Sequence, residues 1–421
     1  MIDGGYDKMT TSDPIPTDWD MVKLGDIFEP ITIRLKDYDS DGLTIPILSM
    51  TRAQGLILQS EKFDKRVASR DTSNYKVVKN GQLVYSFPID EGVIAIMHRY
   101  PMGAVSPAYQ VWEPIREVDL TFIDYMLRTP MMINAYKMFS STVVERRRNL
   151  AQRDFIRIEV PLPPLPEQRA IAQVLTIVSQ SIKSTEQVIT ATHELKRSMM
   201  KHLFTYGPVP IDQADHVVLE ETDFGDVPDS WEVLPVGSIC DSIVPGRTKP
   251  KRFDGNIPWI TMPDIRGRIY VDFSTSGLAL SEEAIKEVKA KIISKESVIM
   301  TCVGEFGLTV IANRDIVINQ QLHAFVCPEQ LDSYFLSHAL QLQKPYMERI
   351  AHFTTIPYMS KDKCNSVPIP IPSIEDQRVI SKILKSIDMK ILSEEQSKSA
   401  LEAMFSSMLH HLMTGKLRVQ V

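Results

Sequence analysis

An internal repeat constrains the fold of this chain more than any other feature of its sequence. The segment PTDWDMVKLGDI returns as PDSWEVLPVGSI, with Trp231 lying 212 residues after Trp19. A second block, VPLPPLPEQRAIAQVL beginning at Val160, returns 209 residues later at Ile369 as IPIPSIEDQRVISKIL. Two blocks that recur in the same order at nearly the same separation do not arise by chance. The sequence therefore predicts a tandem duplication.

Each proline-rich block leads into a segment that favours a long helix. Proline presets the backbone ahead of a helix but cannot continue inside one, and no Pro or Gly follows the blocks until Gly207 and Gly415. Glu167 and Asp376 fall in the first turn, where acidic groups favour the positive end of the helix dipole. At 1.5 Å per residue, about 39 residues predict a rod of roughly 58 Å in each copy.

The apolar residues of these helices follow a heptad pattern with the same frame in both copies. Six of nine a and d positions are apolar in the first helix, and seven of nine in the second. These residues are Leu175, Val178, Ile182, Ile189, Met199 and Leu203, followed by Leu384, Ile387, Ile391, Leu401, Phe405, Met408 and Leu412. We expect the helices to pair in an intramolecular coiled coil. The alternative is that each packs only on the core of its own domain.

The segments that precede the helices have the composition of ordinary globular domains. The chain has 421 residues, of which 43% are hydrophobic and 24% charged, as in a soluble protein of two or three domains. Predicted strands lie at 82–87, 93–97, 297–301 and 308–312, and predicted helices at 122–139 and 334–350. This mixture indicates an α+β fold. Between the copies, residues 212–229 contain seven acids and no Lys or Arg, which predicts an exposed, solvated linker.

Several functional classes lack their sequence signals. No phosphate-binding glycine loop and no zinc-ligand spacing of His and Cys occur, so we expect neither a metal site nor a catalytic centre. No apolar run is long enough to cross a membrane, and the acidic, polar N-terminus does not have the pattern of a signal peptide. The cysteines lie far apart without CxxC spacing, as expected for reduced thiols in a cytoplasm. They are Cys240, Cys302, Cys327 and Cys364.

One loose motif supports a competing hypothesis. Asp264, Glu287 and Lys289 fit the spacing of metal-dependent nucleases, in which carboxylates bind Mg²⁺ and the lysine stabilises charge at phosphorus. The same region, 281–291, also has the pattern of a surface helix capped by Ser281. Ser106-Pro-Ala-Tyr109 resembles a methyltransferase motif only faintly and is predicted to be a turn. A metal-dependent nuclease that uses Asp264, Glu287 and Lys289 is therefore the alternative hypothesis for the function of the chain.

Clusters of basic residues favour DNA as the ligand, although the net charge of −6 does not. Residues 134–157 carry a local charge of +4 and residues 241–270 a local charge of +3. Lys and Arg bind phosphates or guanine, while Asn and Gln pair with adenine in the major groove. The residues predicted to contact DNA are Tyr109, Arg146, Arg147, Arg148, Arg247, Lys249, Lys251, Arg252, Asn319, Gln320, Gln321 and Tyr358.

The repeated PLPPLPEQRxI block and the repeated PxxWxxxxxGxI segment resemble those of specificity subunits of Type I restriction–modification systems. NIPWITMPDI from Asn256 and INQQLH from Ile318 strengthen this resemblance, which covers nearly the whole chain. It implies two target recognition domains joined by two long antiparallel helices, each domain binding one half of a split DNA target. The implied segments are domain 1 at 14–158, helix 1 at 159–207, the linker at 208–225, domain 2 at 226–366 and helix 2 at 367–417.

The resemblance also implies partners. Two methyltransferase subunits that modify adenine would dock on the helices, a restriction subunit would join them, and the complex would be cytoplasmic in a bacterium or archaeon, with no membrane contact. S-adenosylmethionine, Mg²⁺ and ATP would belong to the partners, and this chain would not be an enzyme. The residues predicted to dock partners are Glu167, Gln168, Arg169, Asp376, Gln377 and Arg378. Ser373 replaces the proline found at 164, so the two docking surfaces are not expected to be equivalent.

Overall fold

The chain forms two compact units in a computed structural model that describes residues 15–38, 45–52, 54–63, 68, 71–86, 88–142, 148–246, 248–353 and 355–420. Unit 1 comprises the described residues of Met1–Glu186 and Gln396–Val421, and unit 2 comprises Gln187–Glu395. Both boundaries fall within a long helix. Each unit therefore contains the first half of one long helix and the second half of the other.

The elements of the first copy alternate short strands with short helices and end in a long helix, α5. In chain order they are β1 (Asp20–Lys23), β2 (Phe28–Ile31), β3 (Leu48–Thr51), β4 (Gly55–Leu58), α1 (Gln59–Lys62), β5 (Lys76–Lys79), β6 (Leu83–Tyr85), β7 (Ile94–Ile96), β8 (Met102–Val105), β9 (Gln110–Pro114), α2 (Leu120–Leu127), α3 (Pro130–Phe139), β10 (Ser141–Thr142), β11 (Arg148–Asn149), α4 (Gln152–Phe155), β12 (Glu159–Leu162) and α5 (Leu165–Tyr206).

The second copy follows a similar order and ends in the long helix α12. Its elements are β13 (Leu219–Thr222), β14 (Gly225–Pro228), β15 (Glu232–Pro235), α6 (Val236–Ile239), β16 (Asp241–Ile243), β17 (Ile257–Ile260), α7 (Met262–Ile265), β18 (Tyr270–Val271), β19 (Ala279–Leu280), α8 (Glu282–Val288), β20 (Val298–Thr301), β21 (Thr309–Ala312), β22 (Val317–Ile318), β23 (Leu322–Val326), α9 (Ser333–Leu342), α10 (Lys344–Ile350), α11 (Lys361–Asn365), β24 (Pro368–Ile371) and α12 (Ile374–Met413). This mixture of helix and sheet confirms the predicted fold class.

The two copies share the order of their main sheets. The sheet of unit 1 has the order β2-β9-β6-β7, and that of unit 2 has the order β16-β23-β20-β21 with β18 added at the edge. The first strand pairs antiparallel with the equivalent later strand in both, as Ile31 with Val111 and as Ile243 with Ala324. β1 likewise pairs with β12, and β15 with β24. The duplication therefore extends through the interior of the domains, where the sequences have diverged.

The long helices pack as the heptad pattern predicts. All nine a and d positions of each helix are at least partly buried, while most positions between them are exposed. In unit 1, Leu175 and Leu412 share a core with the sheet, and Glu186 accepts a 2.9 Å hydrogen bond from Lys398. In unit 2, Leu203 and Leu384 share the other core. The helix halves therefore run antiparallel within each unit.

Three sequence predictions differ from the structure in detail. The helices predicted at 122–139 and 334–350 are each two helices, because proline at 130 or 345 lacks an N–H and starts a new helix. The acidic segment 212–229 is not only an extended linker: it contains a 3₁₀ helix, Ile211–His216, and the β13–β14 hairpin. Its seven acids are all exposed, but Val227 is buried and anchors the hairpin.

Each long helix ends at a glycine that packs against the tryptophan of a repeat. Gly207 has a φ of +81° and Gly415 a φ of +70°, the left-handed conformation that favours glycine after a helix. A Cβ at Gly207 would lie 3.3 Å from the Trp231 ring, and a Cβ at Gly415 would lie 3.6 Å from that of Trp19. Among the described residues, no helix is long and apolar enough to cross a membrane.

Candidate nucleic-acid interface

Three loops meet at one end of the sheet of unit 2. They are the loop 244–256 after β16, the turn Asn319–Gln321 before β23, and the hairpin 352–358, in which His352 pairs with Tyr358. Gln320 Nε2 donates a 2.7 Å hydrogen bond to the carbonyl of Gly246. Cys302, at the end of β20, donates its N–H to the Gln321 carbonyl and accepts from Met359 N, both at 2.9 Å. We call this surface the loop end of unit 2.

The side chains of this loop end suit DNA. Gln320 and Gln321 are exposed amides, and Lys249 and Lys251 are exposed cations. Arg252 is held at 3.2 Å from the carboxylate of Glu287. The hairpin carries the predicted contact Tyr358, which is 39% exposed. It also adds apolar and aromatic surface that sequence reasoning missed, since Phe353 is 77% exposed and Ile356 57%. Exposed amides, cations and aromatic rings are the groups that bind base edges, phosphates and sugars.

The described residues of unit 1 include a turn, the base of a hairpin and the first part of the loop after β2 in the equivalent places. The turn 106–109 precedes β9, and Tyr109 N donates to the Ser106 carbonyl at 3.0 Å, as the predicted turn requires. Thr142 pairs with Arg148 at the base of the hairpin. Gln152 Nε2 donates to Gln110 Oε1 at 2.8 Å, which joins the turn to the helix after the hairpin. The loop end of unit 1 is thus built like that of unit 2.

A cationic group beside the first turn was missed by the sequence analysis. Lys76 Nζ donates a 2.6 Å hydrogen bond to the Tyr109 carbonyl. Burial, and then the nearby Arg34, lower the pKa of Lys76 below its ordinary value. Arg34 and Lys36 are exposed on the loop after β2, the counterpart of the loop 244–256. Acidic residues that follow in the sequence cancel the positive charge of this cluster, so a count of local charge did not detect it.

The described candidates for DNA contact all lie on these loops. Asn319, Gln320, Gln321, Lys249, Lys251, Arg252 and Tyr358 belong to the loop end of unit 2, and Tyr109 belongs to that of unit 1. Arg146, Arg147 and Arg247 lie outside the described residues, and only the backbone of Arg148 is described. Contact of these residues with DNA stays a prediction.

A family model described as the type I restriction modification DNA specificity domain matches the chain twice, at residues 16–192 and 228–403. The chain belongs to this family. Its function is therefore DNA sequence recognition, as the specificity subunit of a type I restriction–modification system. The two matches coincide with the two copies of the internal repeat.

Curated relatives of the chain are specificity subunits. The putative type I restriction enzyme MjaX specificity subunit of Methanocaldococcus jannaschii is 24% identical over 434 aligned positions, which cover 98% of this chain and 97% of the relative. The EcoR124I/EcoR124II specificity subunit of Escherichia coli is 25% identical over 242 positions, or 55% of each chain. The first likeness extends over both repeats.

Solved structures share the fold. The type I restriction–modification S subunit from M. genitalium matches with a TM-score of 0.61 and 14% identity, over 96% of this chain and 97% of that one. A chain from a structure on complex assembly and conformational transition of the type I R-M system matches with a TM-score of 0.53 and 18% identity, over 96% and 100%. At these identities the likeness concerns the fold alone.

Asp264, the first residue of the nuclease alternative, has a structural role in this specificity subunit. Asp264 is fully buried and accepts hydrogen bonds from Thr261 and Thr275. Burial raises the pKa of Asp264, but the bonds from Thr275 and Thr261 outweigh it and hold that pKa below its ordinary value. Glu287 lies on α8, the surface helix predicted from the sequence. Within the described part of the chain, no cluster of three His, Cys, Asp or Glu side chains is suited to a metal.

Three of the predicted docking residues are used inside the specificity subunit. Gln168 Oε1 accepts from Asp119 N at 2.9 Å while its Nε2 donates to the Pro163 carbonyl at 2.8 Å. Gln377 makes the equivalent bonds to Asp332 and Pro372. These buried amides join the start of each long helix to the proline-rich segment before it and to the N-terminus of α2 or α9. Their bonded atoms are not available to a partner.

Glu167 is the third of these residues, and its surroundings differ from those of its counterpart. It accepts from Trp19 Nε1 at 3.0 Å and from Arg418, which also holds Asp18 in a bidentate pair at 3.0 and 2.6 Å. Asp376, in the second copy, instead accepts from Ser373 Oγ at 2.9 Å. Arg169 and Arg378 are exposed, and Asp376 is partly exposed.

The stability of unit 2 is expected to fall as the pH drops from 6.5 to 4. Burial lowers the pKa of His323 from 6.5 to about 4, so the unfolded chain takes up the proton first. The contribution of neutral His323 to the free energy of unfolding is complete above pH 6.5. It is lost as the pH falls through this window, by on the order of 3 kcal/mol. Urea denaturation across this range measures it. His323→Gln should weaken the dependence of the free energy of unfolding on pH, whereas His216→Gln, at an exposed site, should not. An unchanged slope in His323→Gln would contradict the prediction.

Proposed function

We propose that each unit binds one half of a split DNA target through its loop end. The supporting observation is that the same turn, hairpin and loop recur at the same end of equivalent sheets. Their side chains differ: Tyr109 occupies the first turn, whereas Asn319, Gln320 and Gln321 occupy the second. Equivalent scaffolds with different side chains suit two half-sites of different sequence.

We propose that the long helices set the distance between the half-sites and dock two methyltransferase subunits. Exposed Arg169, Arg378 and partly exposed Asp376 at the start of the helices are the docking candidates that remain accessible at the surface. In this proposal the subunit is not catalytic, and restriction subunits complete the assembly in the cytoplasm. S-adenosylmethionine, Mg²⁺ and ATP bind to the partner subunits.

Mapping methylated adenines across a host genome tests the proposed function. A host that carries the gene and its methyltransferase should show a split motif with a fixed gap, and deletion of the gene should abolish that motif. Methylation that is unchanged by deletion, with the methyltransferase expressed, would contradict the proposal. A continuous motif without a gap would exclude the assignment of one half-site to each unit.

Exchanging the amides of the second turn should change one half of the motif only. Gln320→Ala with Gln321→Ala removes two exposed amides able to pair with bases. The complex should then accept other bases at about one or two base pairs of that half-site, where a mismatch otherwise costs about 1–3 kcal/mol of binding free energy. The other half should stay intact. Gln330→Ala, at an exposed site away from the turn, serves as the control. Changes in both halves would contradict the division of the target.

A further inference from the structure

All four cysteines lie in unit 2, where the fold arranges them as two facing pairs. Asp241 pairs with Val326 in the antiparallel ladder of β16 and β23, so the preceding Cys240 and the following Cys327 face each other. The second pair, Cys302 and Cys364, comes from the end of β20 and from α11. All four are free cysteines, with no disulfide between them. Their pairing was not apparent from the spacing, because 62 and 87 residues separate the partners.

Met359 holds the Cys302–Cys364 pair together. Its N–H donates to the carbonyl of Cys302 at 2.9 Å, and its own carbonyl lies 4.0 Å from Cys364 Sγ. The Cys364 thiol donates a hydrogen bond to the sulfur of Cys302. Cys364 is fully buried and Cys302 is 7% exposed. The two side chains therefore lie next to each other in the core of unit 2, and Cys302 keeps a small exposed fraction.

The two thiols of this pair are chemically different. The hydrogen bond from Cys364 lowers the pKa of Cys302, and the same bond together with burial raises the pKa of Cys364. The thiolate is the form of cysteine that attacks an oxidant. Cys302 thus has the properties of the attacking sulfur, and Cys364 those of the sulfur that closes the bond.

The pair also adjoins the turn that carries the predicted DNA contacts. Cys302 donates its N–H to the Gln321 carbonyl at 2.9 Å, and its Sγ lies 3.9 Å from the Gln320 carbonyl. Movement of this sulfur therefore acts directly on the backbone of Gln320 and Gln321. The described residues of unit 1 hold no counterpart, since every cysteine of the sequence lies in unit 2.

We propose that Cys302 and Cys364 are a modification site at which a peroxide closes a reversible disulfide that alters the turn Asn319–Gln321. The Cys302 thiolate attacks one oxygen of hydrogen peroxide, the O–O bond breaks, and a sulfenic acid forms, while the departing hydroxide takes up the proton that Cys302 had released and leaves as water. Cys364 then attacks the sulfenic sulfur, the S–O bond breaks, and hydroxide leaves as water after taking the thiol proton. Two thiols are oxidised by two electrons in total, and hydrogen peroxide is reduced to two water molecules.

Peptide mapping of the full-length subunit tests the disulfide. After hydrogen peroxide, blocking of free thiols with N-ethylmaleimide and tryptic digestion, peptides 296–314 and 364–378 should be joined, and dithiothreitol should separate them. The nearly isosteric variants Cys302→Ser and Cys364→Ser should lack this product. The double variant Cys240→Ser with Cys327→Ser should retain it. Recovery of both peptides only as unlinked forms from the oxidised, folded wild type would overturn the proposal.

Binding of the assembled complex to its DNA target tests whether the disulfide alters the turn. This part of the proposal rests on the proposed function. Oxidation should weaken binding by about tenfold, the scale of contacts to one base pair, in the wild type and in the Cys240→Ser, Cys327→Ser variant. The Cys302→Ser, Cys364→Ser variant should be unaffected. Equal affinity before and after cross-linking would overturn the coupling to the turn. If the reduced complex lacks specific binding, the proposed function fails, while the peptide map still decides the disulfide.

Discussion

Replacing Asp388 with alanine is expected to destabilise unit 2 by about 3 kcal/mol, because the change leaves the partly buried Lys196 without its carboxylate. Asp388 is 6% exposed. Its Oδ1 lies 2.7 Å from Lys196 Nζ, and its Oδ2 accepts from Tyr334 at 2.7 Å and from His338 at 3.0 Å. The carboxylate therefore joins both long helices to α9 within unit 2.

The repeat supplies a matched control for this substitution. Ser179 occupies the position equivalent to Asp388 in the first copy and is exposed, so Ser179→Ala should change stability by less than about 0.5 kcal/mol. Urea unfolding of the full chain measures both variants. In a double-mutant cycle, Lys196→Met should recover part of the loss in Asp388→Ala, because it removes the uncompensated charge. A loss below about 1 kcal/mol in Asp388→Ala would show that the network contributes little.

The carboxylate of Asp388 is expected to stay ionised across the physiological pH range. Burial raises the pKa of Asp388, but hydrogen bonds from His338 and Lys196 outweigh it and lower that pKa to about 2. A carboxyl with a depressed pKa stabilises the fold above its ordinary value of 3.8 and loses this contribution as the pH falls towards 2. The window of Asp388 therefore lies below that of His323.

Removing the exposed cations of the basic loop is expected to weaken DNA binding by about tenfold or more at moderate salt. Lys249 and Lys251 are exposed on the loop whose Gly246 carbonyl accepts from Gln320. If each lysine neutralises one phosphate, replacement of both by alanine should reduce the slope of log K against log salt by about 2. Fluorescence anisotropy of the assembled complex on its target, measured at several salt concentrations, gives affinity and slope together.

A control variant separates local contact from net charge. Lys295 is exposed at the opposite end of the sheet of unit 2, before β20. Lys295→Glu lowers the net charge by the same amount as the double variant but should leave the slope nearly unchanged. Equal losses in the two variants would show that the loop acts only through the overall field of the protein.

The parts of the fold that sequence could predict are those set by local periodicity. The heptad residues Leu175 and Leu384 are both fully buried, because spacing along a helix decides which side chains share a face. Sheet order was not predictable, since β2 pairs with β9 across more than 75 residues through backbone groups that every residue carries. The interior equivalence of the copies therefore emerged only from the strand pairing.

The candidate site was predictable in its chemistry but not in its assembly. Exposed Lys249 and Gln320 follow from composition and turn propensity, whereas the bond between Gln320 and Gly246 joins segments 74 residues apart. Burial of Gln168 and Gln377 also escaped prediction, because amides beside a proline-rich block suggest exposure. Their role depends on the N–H groups of Asp119 and Asp332, which the fold brings to them.

The division of each long helix between two units has a thermodynamic consequence. The core of unit 1 contains Leu412 and Met413 from α12, and that of unit 2 contains Leu203 and Phe204 from α5. Both long helices run through both units, so melting one unit leaves half of each helix without the support of its other half. The stability of each unit is therefore linked to the folding of the other. We expect a single cooperative unfolding transition for the whole chain. By the same reasoning, a chain that is cut after α5 would expose the apolar a and d residues of this helix. The same residues in a second copy of that half are suited to cover them.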